Sequence, residues 1–250
     1  MGGGYLVSGD PGGPVLDLIP DDEGMYVREA TPAVAREHYF GCGRSALRNV
    51  RLAVAAAECP SVTRILDFPC GHGRVLRTLA AAYPQAELHV SDLLTAGVDF
   101  CVQNLRAVPI STHVDPTRVR LQGPYDVIWV GSLFTHLDAP KWRAFFDLFH
   151  SSLRVGGVCV FTTHGRRAAE MIRTQETSYG LADPASLLPG FGSAGFAYRS
   201  YSPADPGYGI SLSSASWVLN ELGRLAGARV VLSLERGWAD HQDVFAWQRV

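Results

Sequence analysis

The sequence has almost no lysine, little net charge and no apolar run long enough to cross a membrane. Lys141 is the only lysine among 22 basic residues, and 24 acidic residues balance them. Such a chain has no overall electrostatic attraction to nucleic acid or to an anionic membrane surface. No stretch of about eighteen apolar residues occurs, and the first residues lack the basic and apolar parts of an export signal. We therefore predict neither a nucleic-acid partner nor a membrane partner.

Cysteine is scarce and scattered as well. The five cysteines form no CxxC pair, and no histidines, acids or cysteines stand at the spacing of a local metal site. A disulfide-stapled secreted scaffold and a structural zinc site are therefore both disfavoured. These absences predict a cytoplasmic protein with reduced thiols and no metal.

Glycine and proline are concentrated at the N-terminus. Residues 1–24 contain seven glycines and three prolines, a composition typical of a flexible arm or an irregular loop. Residues 25–250 are predicted to form one domain. This domain begins with a helical segment over 32–58, in which apolar residues recur at helical spacing before Pro60.

Strand-like and helical segments then alternate along the chain. The predicted parallel strands cover 63–68, 87–92, 107–112, 125–131 and 158–163. The last two strand-like runs, 229–235 and 243–249, are joined by a short connection that suits an antiparallel pair. The sequence thus predicts an α/β fold: a doubly wound, seven-stranded, mostly parallel sheet with a terminal antiparallel hairpin. A less regular, aromatic-rich insertion is predicted at about 176–210.

The segment ILDFPCGHGRVL has the strongest functional pattern. Asp67 ends the first strand, Gly71 and Gly73 follow in a loop, and a helix begins behind them. Glycines allow a tight turn and let a ligand approach the main chain without meeting a Cβ atom. The dinucleotide fingerprint GxGxxG needs a third glycine where Leu76 stands, so a nicotinamide cofactor is disfavoured. A second acid, Asp92, ends the second strand.

This arrangement of two acids around a glycine loop resembles class I S-adenosylmethionine-dependent methyltransferases. The resemblance implies S-adenosylmethionine as the cofactor and the seven-stranded fold. It also implies that the loop with Asp67, Gly71 and Gly73 cradles the amino-acid part of the cofactor, and that Asp92 binds both ribose hydroxyls. Pro69 stands where the family has the first glycine of a GxGxG loop.

The predicted cofactor site has further members. Leu93 directly follows the second acid, Gly131 ends the predicted fourth strand, and Ser132 follows it. The resemblance implies that an aromatic or basic residue from a preceding helix covers the cofactor, which makes Tyr39 and Arg44 candidates for contact with its carboxylate. The alternative for both is ordinary packing at the start of a helix.

His136 follows the fourth strand, where the acceptor pocket of the resembling family opens. A neutral imidazole accepts a proton from a hydroxyl group near pH 7, so we predict His136 as the catalytic base. The alternative is that it only organises its loop. His164, at the end of the fifth strand, and His241, in the terminal hairpin, are rival candidates. Cys70 follows a proline, as the nucleophile of cytosine-5 methyltransferases does, but its place in the first loop favours packing.

These features predict an enzyme that transfers a methyl group from S-adenosylmethionine to an oxygen or nitrogen of a small molecule by in-line displacement. The cofactor supplies the electrophile, so the protein aligns the acceptor, excludes water and removes a proton where required. The alternative is a non-catalytic module of the same fold that binds S-adenosylmethionine or activates a partner.

Overall fold

Residues 13–250, which this computed structural model describes, form seven α-helices and nine strands. The helices are α1 (Pro32–Ala56), α2 (Leu76–Ala82), α3 (Thr95–Leu105), α4 (Ala139–Ser152), α5 (Arg166–Arg173), α6 (Leu188–Ala194) and α7 (Ala215–Leu222). The strands are β1 (Arg64–Asp67), β2 (Glu87–Val90), β3 (Val108–Pro109), β4 (Tyr125–Val130), β5 (Leu153–Thr163), β6 (Phe196–Ser202), β7 (Asp205–Ser213), β8 (Ala228–Trp238) and β9 (Gln242–Arg249). None of the helices in this part of the chain is long and apolar enough to cross a membrane.

Seven of the strands form one sheet in the order β3-β2-β1-β4-β5-β9-β8. Strands β1 to β5 pair in parallel, whereas β9 pairs antiparallel with both β5 and β8. The predicted doubly wound sheet with a terminal antiparallel hairpin is therefore confirmed. Because β2 and β3 lie on one side of β1, and β4 and β5 on the other, the strand order reverses between β1 and β4.

Helices cover both faces of this sheet and bury it in two apolar layers. Ile65 and Val127 belong to the layer that contains residues of α1 and α2, whereas Leu66 and Ile128 belong to the layer under α4 and α7. Successive strand side chains point to opposite faces, so neighbouring residues enter different layers. Strand β4 is buried at every position, as expected for a parallel strand covered on both sides.

The sequence also predicts a helix capped by Asp138, and helix α4 begins directly after this residue but ends earlier than expected. The carboxylate of Asp138 accepts a backbone N–H of the first turn and caps the helix. The sequence predicts an end at Gly156 and Gly157, but the helix ends at Ser152 and both glycines lie inside β5. A Cβ at Gly157 would come within 2.6 Å of the Tyr125 carbonyl oxygen. Glycine is therefore needed there for the close approach of β5 to β4.

The segment predicted as a less regular insertion, about 176–210, contains regular structure. It forms α6 and an antiparallel hairpin, β6–β7, which runs on to Ser213. Along β7, Ile210 and Leu212 join an apolar cluster with residues of α5. Ser211 and Ser213 alternate onto the opposite face and are buried as well. The abundance of glycine and proline in this segment hid the strands from pattern analysis.

The described part of the predicted flexible arm, residues 13–24, has no helix or strand but is held by side chains. The buried guanidinium of Arg77 donates to two backbone oxygens of this stretch at 3.0 and 2.7 Å. Glu23 is buried and accepts a hydrogen bond from the Tyr39 hydroxyl at 2.6 Å. This stretch thus differs from a free arm. The rest of the predicted arm, 1–12, lies outside the described residues.

Candidate functional site

The carboxyl ends of the parallel strands bring the predicted site residues to one edge of the sheet. Asp67 ends β1, Asp92 follows β2, Ser132 follows β4 and His164 follows β5. Strand β9 runs antiparallel to β5, so its first residues lie at the same edge. In doubly wound sheets, ligands bind at this edge where the strand order reverses. This edge, which we call the carboxyl edge, is the candidate functional site.

Asp67 is unusual at this edge because its carboxylate is buried without a partner. The residue is 1% exposed, and neither oxygen makes a hydrogen bond of normal geometry with the described residues. Burial disfavours the charged form and raises the pKa of Asp67 well above its ordinary value, and the nearby Asp92 raises it further. Arg74 and the backbone of Leu76 act in the opposite direction. A buried, unpaired acid costs folding energy, which fits a ligand that donates hydrogen bonds to it.

The two glycines of the loop have different surroundings. Gly71 has a φ of +49°, and a Cβ built there would meet no other atom within 4 Å. The space over Gly71 is therefore open to a ligand. Gly73 has a φ of +70°, but a Cβ there would lie 2.8 Å from Leu105 Cδ1 and 3.0 Å from Cys101 Sγ. Gly73 is thus required for packing against α3, and Pro69 lies half-buried earlier in the same loop.

Asp92 connects the loop after β2 to the glycine loop. One of its carboxylate oxygens accepts a hydrogen bond from the Gly71 N–H at 2.7 Å, and the other accepts from the Leu94 N–H at 2.9 Å. Because each carboxylate oxygen accepts more than one hydrogen bond, lone pairs remain for a ligand. The adjacent Leu93 is 61% exposed, which leaves an apolar side chain at the surface of the site.

The predicted residues after β4 belong to a polar network across the sheet. The Ser132 N–H donates to Thr162 Oγ1 at 2.8 Å, and this hydroxyl donates to Gln242 Oε1 at 2.6 Å. The Gln242 amide donates in turn to Ser132 Oγ at 2.9 Å. This closed network ties the loop after β4 to β5 and β9. A Cβ at Gly131 would lie 2.8 Å from Trp129 Nε1, so glycine is needed for packing there.

Tyr39 and Arg44 both have partners within the chain. Tyr39 is fully buried, and its hydroxyl donates to Glu23 and accepts from the Arg77 guanidinium at 3.2 Å. Arg44 forms an ion pair with Glu37 on the exposed surface of α1. The phenol and the guanidinium are thus engaged within the N-terminal part of the chain, and their contact with a cofactor carboxylate stays a prediction.

His136 lies on a short turn after β4, against the hairpin β6–β7. Its Nδ1 lies 2.9 Å from the Gly209 carbonyl oxygen, so the proton of a neutral ring is on Nδ1. The Tyr208 ring stacks on the imidazole with centroids 5.1 Å apart, and the Tyr201 hydroxyl lies 3.2 Å from Nδ1. Nε2 then holds the lone pair of the neutral ring. Burial lowers the pKa of His136, so the ring is neutral at pH 7 and suited to accept a proton.

The rival histidines, His164 and His241, form a second cluster at the carboxyl edge. The His164 ring centroid lies 4.6 Å from that of Tyr179 and 5.5 Å from that of His241. The Tyr179 hydroxyl lies 3.2 Å from His241 Nε2. Burial lowers the pKa of His164 well below its ordinary value and also lowers that of His241. Both rings are therefore uncharged at neutral pH.

Cys70 is buried beside the site and is not suited to nucleophilic attack. A hydrogen bond with Cys101 and burial raise the pKa of its thiol, so the reactive thiolate is not populated at neutral pH. Across residues 13–250, no group of three or more His, Cys, Asp or Glu side chains is placed to hold a metal ion.

Gly97 on α3 is a residue that pattern analysis missed. A Cβ there would lie 2.4 Å from the Gly71 carbonyl oxygen, so glycine lets α3 approach the loop. The sequence does give one indication of this role, because Gly97 lies inside a helical pattern. A glycine there destabilises the helix by about 1 kcal/mol relative to alanine, so its presence indicates a need for close packing.

We expect Gly97→Ala to push α3 away from the glycine loop. The overlap should cost about 1–3 kcal/mol of unfolding free energy and weaken binding of S-adenosylhomocysteine. Thermal unfolding and calorimetric titration measure the two effects. Gly192→Ala in α6 is the matched control, because a Cβ there meets nothing within 4 Å. Wild-type stability and affinity in Gly97→Ala would contradict this account of the contact.

Comparisons with known proteins bear directly on the carboxyl edge. Residues 65–157, which include the glycine loop and the turn with His136, match the protein family described as a methyltransferase domain. A malonyl-[acyl-carrier protein] O-methyltransferase of Bacillus anthracis is 29% identical over 116 residues, which are 46% of this chain and 42% of that protein. The chain spans about half the length of the curated relatives it matches.

Solved structures have the same fold. Magnesium protoporphyrin IX methyltransferase from Synechocystis PCC 6803, with bound S-adenosylhomocysteine, is 14% identical with a TM-score of 0.55, covering 90% of this chain and 91% of that one. An S-adenosylmethionine-dependent methyltransferase from Clostridium acetobutylicum ATCC 824 is 11% identical with a TM-score of 0.55, covering 84% and 91%. The fold is thus that of the class I methyltransferases. The match over 65–157 and the shared fold confirm the predicted resemblance to class I S-adenosylmethionine-dependent methyltransferases, and S-adenosylmethionine as the cofactor.

Proposed function

We propose that this domain transfers the methyl group of S-adenosylmethionine to an oxygen or nitrogen atom of a small molecule by in-line displacement. The observation that supports this most strongly is the presence, at one edge of the sheet, of two complementary groups. Asp67 is a buried acid without a hydrogen bond of normal geometry, and His136 is a neutral histidine whose lone pair is on Nε2. The first suits cofactor binding, and the second suits removal of a proton from an acceptor.

The residues at the carboxyl edge fit the cofactor chemically. We assign the Asp67 carboxylate to the ammonium group of the amino-acid part, and the open face of Gly71 to the passage of that part over the backbone. Asp92 offers lone pairs to the ribose hydroxyls, and Leu93 offers apolar surface to the adenine ring. When bound, S-adenosylmethionine supplies an electrophilic methyl group on a sulfonium centre. The remaining predicted residues shape the surrounding loops: Pro69, Gly73, Gly131 and Ser132.

The contribution of the chain is alignment, proton transfer and exclusion of water. The Gly209 carbonyl holds Nδ1–H of His136 and thereby fixes the ring, so that Nε2 can receive the proton of an acceptor hydroxyl. A neutral amine acceptor needs less of this help, because its own lone pair attacks directly. Tyr208 stacks on the imidazole and shields one of its faces from solvent.

Two measurements test the proposal. Calorimetric titration with S-adenosylhomocysteine tests the cofactor site. Incubation with S-adenosylmethionine that has a labelled methyl group, in the presence of fractionated metabolite extract, tests transfer. Binding without transfer would favour the alternative, a non-catalytic module of the same fold, and absence of binding would overturn the proposal.

Asp92→Ala is expected to weaken S-adenosylhomocysteine binding by about 1–3 kcal/mol. The reason is the loss of the charged acceptor for the ribose hydroxyls, together with the loss of the hydrogen bond that holds the Gly71 N–H. Calorimetry measures the change. Asp99→Ala removes the same charge from the exposed surface of α3 and is the matched control. Unchanged affinity in a folded Asp92→Ala protein would remove Asp92 from the site.

A further inference from the structure

Three buried polar residues lie where β5 ends against β7. Thr163, His164 and Ser213 are 0%, 4% and 1% exposed. The atoms Thr163 Oγ1, His164 Nδ1 and Ser213 Oγ make no hydrogen bond of normal geometry with the described residues. The backbone of Ser211 also interacts with the His164 ring and raises its pKa, against the larger effect of burial. The Ser213 N–H donates to the His164 carbonyl oxygen at 2.8 Å, which places β7 directly against the end of β5. We call these three residues the polar cluster.

Unpaired polar atoms in such a place need an explanation. Buried polar groups nearly always have a partner, and each unpaired one costs about 1–3 kcal/mol. Three of them on two touching backbone segments therefore indicate a place for a ligand that supplies donors and acceptors. The cofactor residues proposed above lie at β1 and β2, so the polar cluster is on the acceptor side of His136.

The pattern of β7 supports the same conclusion. Ile210 and Leu212 take the apolar side of the strand, so Ser211 and Ser213 are turned toward the ends of β4 and β5. The Ser211 hydroxyl already has a partner, because it donates to the Phe134 carbonyl oxygen at 2.7 Å. The Ser213 hydroxyl, on the same face of the strand, remains available.

The charges near the polar cluster disfavour an anionic ligand. The two arginines that follow β5 are both paired with acids, Arg166 with Glu235 and Arg167 with Glu176. The Asp243 carboxylate packs directly against Gly165, next to the cluster. Burial raises the pKa of Asp243 to about 6, so it is still mostly ionised at pH 7 and would repel a second negative charge.

Tyrosine rings lie beside the polar cluster and beside His136. Tyr179 lies over the His164 ring, while Tyr201 and Tyr208 stand at His136 and are exposed. A tyrosine ring offers a flat apolar face with a polar tip, and such a face packs well against the C–H groups of a sugar ring. Small-molecule pockets typically combine surfaces of this kind with a few placed polar groups.

We infer that the polar cluster binds hydroxyl groups of a neutral, hydroxyl-rich methyl acceptor of the glycoside or polyol type. The inference rests on the proposed methyltransferase function and names its acceptor class. Serine and threonine hydroxyls both donate and accept, and a neutral imidazole nitrogen offers one further position. Three such positions match a ligand with several hydroxyls better than one with a single phenol, carboxylate or amine. Strand β7 joins this binding place to the base, because it also contains Gly209, which holds His136.

A panel of simple acceptors tests the chemical class. Methyl glucoside, methyl galactoside, maltose and myo-inositol represent the hydroxyl class, and succinate, catechol and putrescine represent carboxylates, phenols and amines. With S-adenosylmethionine labelled in its methyl group, we expect label only in members of the hydroxyl class. Label in a carboxylate, phenol or amine, without label in any glycoside or polyol, would overturn the inference.

Two variants test the residues. Thr163→Val and Ser213→Ala each remove one hydroxyl at small cost in volume. Each is expected to raise the KM for the acceptor about tenfold and to leave affinity for S-adenosylhomocysteine unchanged. Ser193→Ala is the matched control, because its hydroxyl donates to the Pro189 carbonyl oxygen on α6 at 2.9 Å. Acceptor KM values equal to wild type in both variants would contradict a role for the polar cluster.

Nuclear magnetic resonance of the histidine rings gives a readout that does not depend on turnover. In protein saturated with S-adenosylhomocysteine, the hydroxyl compounds are expected to shift the His164 signals, and Ser213→Ala is expected to weaken that response. If S-adenosylhomocysteine binds but no hydroxyl compound shifts His164, the inference on the acceptor is wrong. If S-adenosylhomocysteine does not bind at all, the proposed function itself fails.

Discussion

Replacing His136 with alanine is expected to lower kcat for a hydroxyl acceptor about 10²–10⁴-fold, while affinity for S-adenosylhomocysteine stays at the wild-type value. A general base contributes this much, which corresponds to about 3–5 kcal/mol of activation free energy. The lost group is Nε2, since Nδ1 is engaged with the Gly209 carbonyl oxygen. Steady-state kinetics on the acceptor labelled in the transfer assay, and calorimetry with S-adenosylhomocysteine, measure the two quantities.

The matching variant His136→Gln separates the base from its hydrogen bond. A glutamine amide can still donate to Gly209, but it cannot take up a proton at neutral pH, so a hydroxyl acceptor should remain slow. With an amine acceptor, His136→Gln is expected to keep most of the activity. His150→Gln on α4 is the control, because the C-terminal end of that helix leads into the start of β5, away from the carboxyl edge. Wild-type turnover of a hydroxyl acceptor by His136→Ala would leave alignment as the main contribution of the protein.

The pKa of His136 determines in which direction kcat changes with pH. Burial lowers this pKa below the ordinary value of 6.5, and the working form of a base is the unprotonated ring. The kcat should therefore be constant above this lowered pKa and fall as the pH drops through it. Tyr201 and Tyr208 face the ring from the hairpin β6–β7. Burial raises the pKa of Tyr201 to about 12, so this phenol is uncharged in this range. The residual kcat of His136→Ala should not show this fall at low pH.

Part of this architecture is readable from the sequence because it depends on local patterns. The buried parallel strands appear as short apolar runs, as at 125–131 and 158–163, because both faces of the sheet are covered. The glycine loop is readable because Asp67 and Gly71 must follow a strand and precede a helix for the backbone to turn there. These features suffice to place the carboxyl edge and the two acids.

The remaining features depend on contacts between distant segments, which local patterns do not record. Tyr39 is an aromatic in a suitable place for covering a ligand, but Glu23 and Arg77 enclose its hydroxyl. Ser213 looks like part of a polar loop, yet β7 carries it into the interior beside His164. In both cases tertiary packing, rather than residue type, decides which polar atoms are free to meet a ligand.

Asp67→Asn is expected to make the protein more stable at neutral pH. The folded-state pKa of Asp67 lies well above its ordinary value of 3.8, so the unfolded chain loses this proton at lower pH than the folded protein. Stability therefore falls as the pH rises from about 3.8 to the folded-state pKa, and the loss persists at higher pH. Asparagine has the same shape without the charge, so the variant should regain this energy, with a Tm gain of about 2–4 °C for each kcal/mol. Thermal unfolding across this pH range measures the difference.

The same substitution is expected to weaken S-adenosylhomocysteine binding about 10–100-fold, since the ammonium group of the ligand loses a charged partner. The compound 5′-methylthioadenosine lacks the amino-acid part, so its affinity should be equal in Asp67→Asn and wild type. Asp99→Asn, on the exposed surface of α3, should change neither affinity nor stability. A gain in stability coupled to a loss of affinity is the behaviour of an acid retained for its ligand at the expense of the fold. A less stable Asp67→Asn protein with wild-type affinity would instead make Asp67 a structural residue of the glycine loop.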